Sequence, residues 1–157
     1  FFGTAPTHHI FGQRAALDMM IEEGRENIFR RHKVLAGSVW IALEKWSQGK
    51  VLRTNIKEEI QRSTAVTTFR ADGYDLTLLQ KWLKTHTGLE LGHGLGFSGL
   101  KYLDGKSVCR IAHMGYLNPV MILGALASIE AGLAACNIPF GEGGCGAAAD
   151  FISKNFY

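Results

Sequence analysis

Residues 107–136 constrain this chain more than any other stretch, because a strand carrying an arginine runs almost directly into a helix that is apolar on most of its circumference. The helix, Val120 to Cys136, is rich in Leu, Ile, Ala and Met and follows Pro119, a residue suited to a first helical turn. A helix apolar on most sides needs cover on most sides, so the fold has to close around it. Ahead of it, Ser107 to His113 reads as a strand in which Val108 and Ile111 supply bulk and Arg110 sits among them. A guanidinium cannot neutralise itself on burial and demands an anionic or carbonyl partner. Arg110 therefore either faces solvent at a sheet edge or is aimed at a cleft that receives an anion. Periodicity leaves both open.

The remaining elements follow from spacing. Thr4-Ala-Pro-Thr7 signals a helix start, with a hydroxyl cap candidate and an early proline. Ile10, Phe11, Ala15, Leu17, Met20 and Ile21 continue at helical spacing until Gly24. A second helix is predicted from Glu26 to Ser47, with Ile28, Phe29, Val34, Leu35, Val39, Trp40, Leu43 and Trp46 on its apolar side. Arg25, Arg30, Arg31, His32 and Lys33 read as its solvated face. Val51-Leu52 opens a possible strand, and Ile56 to Arg62 is a charged connection without a defined shape. Thr64 to Phe69 is a strand by its β-branched content, Arg70 to Gly73 a turn, and Tyr74 to Thr87 an amphipathic helix with Leu76, Leu79, Trp82 and Leu83 inward. Leu89 to Leu91 is a short strand, Asp104-Gly105 a hairpin turn, Gly141 to Gly146 a loop and Ala147 to Lys154 the last helix. Strands joined by tight turns pair antiparallel, so the predicted class is α+β. Helices cover one face of a small, mostly antiparallel mixed sheet, preceded by two helices.

Bulk properties narrow the partners. A chain of 157 residues suits one domain burying roughly 70% of its unfolded surface. The net charge of +3 comes from 17 basic and 14 acidic residues scattered along the chain, which points away from nucleic acid and from an anionic membrane. No apolar run reaches the length of a membrane span. Cys109, Cys136 and Cys145 are odd in number and lack CxxC spacing, so they read as reduced thiols in a cytoplasmic setting. The chain opens on Phe-Phe-Gly without an initiator methionine or a signal-peptide pattern, and is expected to lack an upstream region.

Two motifs are weighed and set aside. Gly94-Leu-Gly-Phe-Ser-Gly99 matches G-x-G-x-x-G, but a dinucleotide site needs that run to open a helix and an acid some twenty residues on. Here a non-helical segment follows, so the glycines are read as letting the backbone pass close to another surface or a bound molecule. His93, Cys109 and His113 are the candidates for a metal cluster, yet no fourth ligand presents itself. A core cysteine and a hydrogen-bonded histidine are expected instead. His8-His9 is read as a surface pair, and no Ser-His-Asp order or G-x-S-x-G elbow is present.

Three stretches resemble one family. Phe1-Phe-Gly-Thr-Ala-Pro-Thr-His-His, followed by Leu17 and Glu22-Glu-Gly24, is similar to the junction between the large and small domains of class V pyridoxal-phosphate aminotransferases, the serine–glyoxylate and alanine–glyoxylate branch above all. Thr67-Thr-Phe-Arg-Ala-Asp-Gly-Tyr-Asp resembles the strand, turn and helix of its small domain. Cys109-Arg-Ile-Ala-His-Met-Gly-Tyr-Leu-Asn-Pro119, with Gly124, Ile129-Glu130 and Gly132-Leu133, resembles its arginine strand and following helix.

The resemblance implies the C-terminal small domain of a fold-type I enzyme, with residues 1–24 ending the large domain and residues 25–157 forming the small one. It implies a homodimer that uses pyridoxal 5'-phosphate to move an amino group from serine or alanine to a 2-oxo acid such as glyoxylate or pyruvate. Arg110 is similar to the arginine that binds the substrate α-carboxylate. Thr4 falls where the family places a threonine that hydrogen-bonds the cofactor phosphate of the neighbouring subunit. Phe1 stands where some members have a tyrosine on that phosphate and lacks its hydroxyl, and Ala112 stands where a glycine is frequent. The family's cofactor-bonding lysine, its stacking residue and the acid facing the pyridine nitrogen would all lie upstream of residue 1. Lys45 and Lys106 sit in charged helix or turn contexts and match no such motif. No catalytic residue is therefore expected here, and the piece alone is expected to be inactive. The competing readings are a stand-alone binding or regulatory module on this fold, and a lyase or desulfurase of the same superfamily.

Overall fold

The structure, a computed structural model, describes residues 2–95 and 105–156. The chain divides into two compact units, residues 1–31 and residues 32–157.

The first unit holds helix α1 (Thr7–Glu23) and the opening turns of α2 (Arg25–Trp46). The backbone becomes helical only after Pro6, which occupies the N-cap, so no side chain caps α1. The expectation that a hydroxyl caps this helix is corrected: Thr4 lies two residues before the cap, and proline carries no acceptor on its side chain. No residue of α1 is buried, and Phe11 and Ile21 are 71% and 77% exposed. At Gly24 the backbone takes φ +83°, which breaks the two helices apart. Arg31 then reaches back eight residues, with Nε 2.6 Å from Glu23 Oε1 and Nη2 2.8 Å from Oε2. The charged face expected on α2 is thus only partly solvated, because this bidentate pair draws Arg31 inward. Phe29, expected on the core side, is exposed, with the Arg25 guanidinium 6.0 Å from its ring centroid.

The second unit takes the rest of α2, then β1 (Leu52–Thr54), β2 (Val66–Ala71), α3 (Leu76–Thr87), β3 (Gly92–His93), β4 (Val108–Ala112), α4 (Pro119–Ala135) and α5 (Gly144–Asn155). The sheet order is β1-β2-β4-β3 and each pairing among the described residues is antiparallel, in keeping with the mostly antiparallel sheet expected from sequence. Leu52, Phe69, Ala71, Cys109 and Ile111 alternate onto one face and join Leu35, Val39, Leu43 and Trp46 of α2 in the core. Leu79 and Leu83 of α3, Leu126, Ile129 and Leu133 of α4, and Ala148 of α5 complete it. Each fully buried leucine contributes about 1.5–3 kcal/mol through burial.

Local chemistry sets the ends of these elements. Asp75 caps α3, its Oδ1 accepting from the Thr77 N–H at 2.9 Å, and Asn118 caps α4 by accepting from the Met121 N–H at 3.0 Å. Residues 89–91 do not form the strand expected there: the ladder begins at Gly92, and Gln80 Nε2 lies 3.4 Å from the Leu91 carbonyl oxygen. Strand β2 extends through Arg70 and Ala71, which pair with Arg53 and Leu52, and the turn shrinks to Asp72-Gly73. Helix α5 starts three residues earlier than expected, because Glu130 Oε1 accepts from the Cys145 N–H at 2.9 Å. Gly144 is required there: a Cβ would stand 2.3 Å from Trp46 Nε1. Of the Asp104-Gly105 turn only Gly105 is described, and residues 105–107 form a 3₁₀ turn.

Candidate functional site

Arg110 lies on β4, an inner strand, with Thr68 of β2 on one side and Gly92 of the edge strand β3 on the other. Its neighbours in sequence, Cys109 and Ile111, point into the core, so alternation puts the Arg110 side chain on the opposite face. The guanidinium is half-buried, and its Nε donates to the His93 carbonyl oxygen at 2.7 Å. Its two Nη groups make no hydrogen bond or ion pair among the described residues. A carbonyl-anchored arginine with four N–H bonds in reserve can grip a carboxylate through two parallel bonds.

The same face carries two more arginines. Arg53 and Arg70 are directly opposed in the β1–β2 register, and Asp72 sits by both, 2.5 Å from Arg53 Nε and 3.3 Å from Arg70 Nε. The Arg70 contact is an ion-pair distance without hydrogen-bond geometry, since that Nε has no hydrogen-bond partner. One carboxylate between two opposed cations relieves their repulsion. Sequence reading missed this trio by assigning Arg70 to a turn.

Serine–glyoxylate aminotransferase of Methylorubrum extorquens is 34% identical over 154 residues, covering 97% of this chain and 36% of that protein. The enzyme of the same name from Hyphomicrobium methylovorum is 35% identical over 161 residues, covering 99% of this chain and 36% of its own length. The crystal structure of pyridoxamine–pyruvate aminotransferase from Mesorhizobium loti superposes with a TM-score of 0.83 at 25% identity, over 98% of this chain and 38% of that one. The chain resembles the class V aminotransferases. It corresponds to their C-terminal part, spans little more than a third of those relatives' length, and has the fold of their small domain. No family model matches it.

Against the class V pattern, the two proposed contact residues fall in separate units. Arg110 is in the second, as described. Thr4 is in the first, exposed, and its hydroxyl makes no hydrogen bond among the described residues. Phe1 lies outside the described residues. Of Gly94 to Gly99 only Gly94 and Leu95 are described, and the Gly94 N–H donates to the Val108 carbonyl oxygen at 3.2 Å, extending the ladder.

The candidate metal ligands separate. No group of three such residues able to hold an ion occurs among the described residues. Cys109 is fully buried, and burial, with the Asp75 charge adding to it, pushes its thiol up to about 12. His113 is also fully buried, with Nδ1 3.0 Å from the Thr64 carbonyl oxygen and Nε2 2.7 Å from Thr67 Oγ1. A carbonyl only accepts, so the network assigns the proton to Nδ1 and leaves Nε2 to accept from the Thr67 hydroxyl. That hydroxyl in turn accepts from Trp40 Nε1 at 3.0 Å. Burial holds His113 below its ordinary value. The chain thus uses these residues as core cysteine and hydrogen-bonded histidine, as the sequence suggests.

Proposed function

We propose that this chain is the C-terminal part of a pyridoxal-phosphate-dependent transaminase that moves an amino group from serine or alanine to a 2-oxo acid such as glyoxylate or pyruvate. The single observation that carries the proposal is Arg110: one N–H is committed to a backbone carbonyl, and among the described residues neither Nη group has a partner. Arg110 binds the α-carboxylate of donor and acceptor in turn, and keeps its charge at any working pH. Pyridoxal phosphate, when bound, supplies the electron sink for the reacting carbon. Thr4 donates its hydroxyl, which has no partner among the described residues, to the phosphate of the neighbouring subunit's cofactor, which makes the working unit a homodimer. Residues 1–24 end the large domain and residues 25–157 form the small one. The lysine that bonds the cofactor comes from outside the described residues, all of whose lysines are exposed. Three free, unpaired cysteines support a cytoplasmic setting, and no helix among the described residues is long and apolar enough to cross a membrane.

The test compares serine with ethanolamine, which lacks the carboxylate, in the full-length protein. Losing one partner of a desolvated charge pair costs about 2–5 kcal/mol, so Arg110→Ala should lower kcat/KM for serine by tens to thousands of fold. Arg110→Lys should recover part of that, and ethanolamine should be nearly unaffected. Equal losses on both amines would return Arg110 to a structural role. In the same preparations Thr4→Val should weaken cofactor retention while melting stays put; retained cofactor would remove Thr4 from the site.

A further inference from the structure

Gly92 is the cross-strand partner of Arg110. Opposed residues in an antiparallel pair ordinarily hold their Cβ atoms about 4.5–5.5 Å apart. A Cβ on Gly92 would instead stand 3.3 Å from Arg110 Cβ, from Nε and from Nη2 alike. The arginine therefore folds back over the bare backbone of residue 92 and reaches the next carbonyl along β3, at His93. That backbone is itself held from the helix layer, where Gln80 Nε2 of α3 lies 3.4 Å from the Leu91 and 3.3 Å from the Gly92 carbonyl oxygens.

We infer that Gly92 and the His93 carbonyl form a seat that commits Arg110 to one mode of carboxylate binding, end-on through Nη1 and Nη2. The inference rests on the reading of Arg110 as the carboxylate clamp. A guanidinium has two forks that face open space in principle, Nε with Nη2 and Nη1 with Nη2. The Nε nitrogen carries a single proton, and His93 holds it at 2.7 Å. The side fork is closed, and the end fork remains. An end-on carboxylate lies along the extension of the Nε–Cζ bond, so the seat fixes the line on which the substrate carboxylate must sit. Residue 92 acts through Arg110 and is a positioning residue. A Cβ there crowds the guanidinium, which must give by a few tenths of an ångström, loosening Nε from His93 and letting the fork shift.

In the full-length protein, Gly92→Ala should lower kcat/KM for serine about tenfold, the loss of one hydrogen bond to a charged group, chiefly by raising KM. Gly92→Val should lower it further, and ethanolamine should change less than about twofold with either. Gln80→Met, which keeps the helix and removes the two carbonyl bonds, should show the same serine-selective loss at smaller size, and it is the variant to read where Gly92→Ala does not fold. A crystal structure with bound serine should place both carboxylate oxygens on Nη1 and Nη2 with Nε still on His93. A carboxylate on Nε and Nη2, equal losses for serine and ethanolamine, or no loss in Gln80→Met would overturn the seat. If Arg110→Ala shows no preference for serine, the clamp itself fails; if it does and Gly92→Ala shows none, only the seat fails.

Discussion

Arg62 and Arg110 are both half-buried arginines bonded to backbone carbonyls, yet they are wired in opposite ways. Arg62, in the connection before β2, spends all three of its nitrogens: Nε on the Ile56 carbonyl at 3.2 Å, Nη2 on Lys57 at 3.0 Å and Nη1 on Glu44 Oε1 at 3.3 Å. Its guanidinium also lies 5.5 Å from the centroid of the Trp40 ring. Trp40 carries the network inward through Thr67 to His113. Among the described residues Arg110 spends one nitrogen and keeps both Nη groups in reserve. Exposure does not separate them, because the Arg62 side chain is only 10% exposed and still structural. What separates a structural arginine from one able to take an anion is the number of donors left after the fold has taken its share.

Exchanging the two roles is the sharpest way to break that comparison. Arg62→Ala removes three charged hydrogen bonds and the ring contact; because Ile56, Lys57 and Glu44 are exposed and water replaces part of the loss, stability should fall by about 2–3 kcal/mol. The serine-to-ethanolamine ratio should not move. Arg110→Ala should show the converse, a collapsed ratio with denaturation shifted by less than about 1 kcal/mol. Urea midpoints for the two variants, set beside their activity ratios, decide it; a larger stability loss at Arg110 than at Arg62 would sink the distinction.

A smaller effect should come from the inner end of the Arg62 network. Burial lowers the folded pKa of His113 from an ordinary 6.5, with the nearby His32 charge acting in the same direction. The folded state then binds fewer protons than the unfolded one as pH falls. Stability is therefore unchanged above about pH 6.5 and declines below it, by at most about 1.4 kcal/mol per pH unit for one group. Melting followed from neutral to mildly acidic pH should show that decline, and His113→Gln should flatten part of it. Parallel curves would mean that burial does not hold His113 neutral.

The smallest change is expected at the third arginine group. Asp72→Asn unbridges Arg53 and Arg70, whose contacts are largely solvated, and should cost about 0–1 kcal/mol, fading in molar salt. A loss above about 2 kcal/mol would move Arg70 into the class of Arg62.

Much of this molecule follows from the chain read locally. Helical spacing predicts the five α-helices of the described residues within a few residues, β-branched content and alternation place β2 and β4, and the Asn118-Pro119 pair marks the start of α4. Arg110 stands out because an arginine amid strand residues must be accounted for, and Cys109 and His113 read correctly as interior residues. These are statements about neighbours in sequence, and periodicity reports on such neighbours. Only the tertiary structure decides which donors are spent. The partners of Arg110 lie 18 and 42 positions away at Gly92 and Thr68, brought there by sheet register. Those of Arg62 converge from α2 and the preceding connection. The same limit explains α1, where apolar residues at helical spacing stand exposed. It also covers residues 89–91, where the ladder starts only at Gly92 and a glutamine from α3 reaches the Leu91 carbonyl. Spacing names the groups that must find partners; the partners are chosen across the fold, by contacts no local pattern contains.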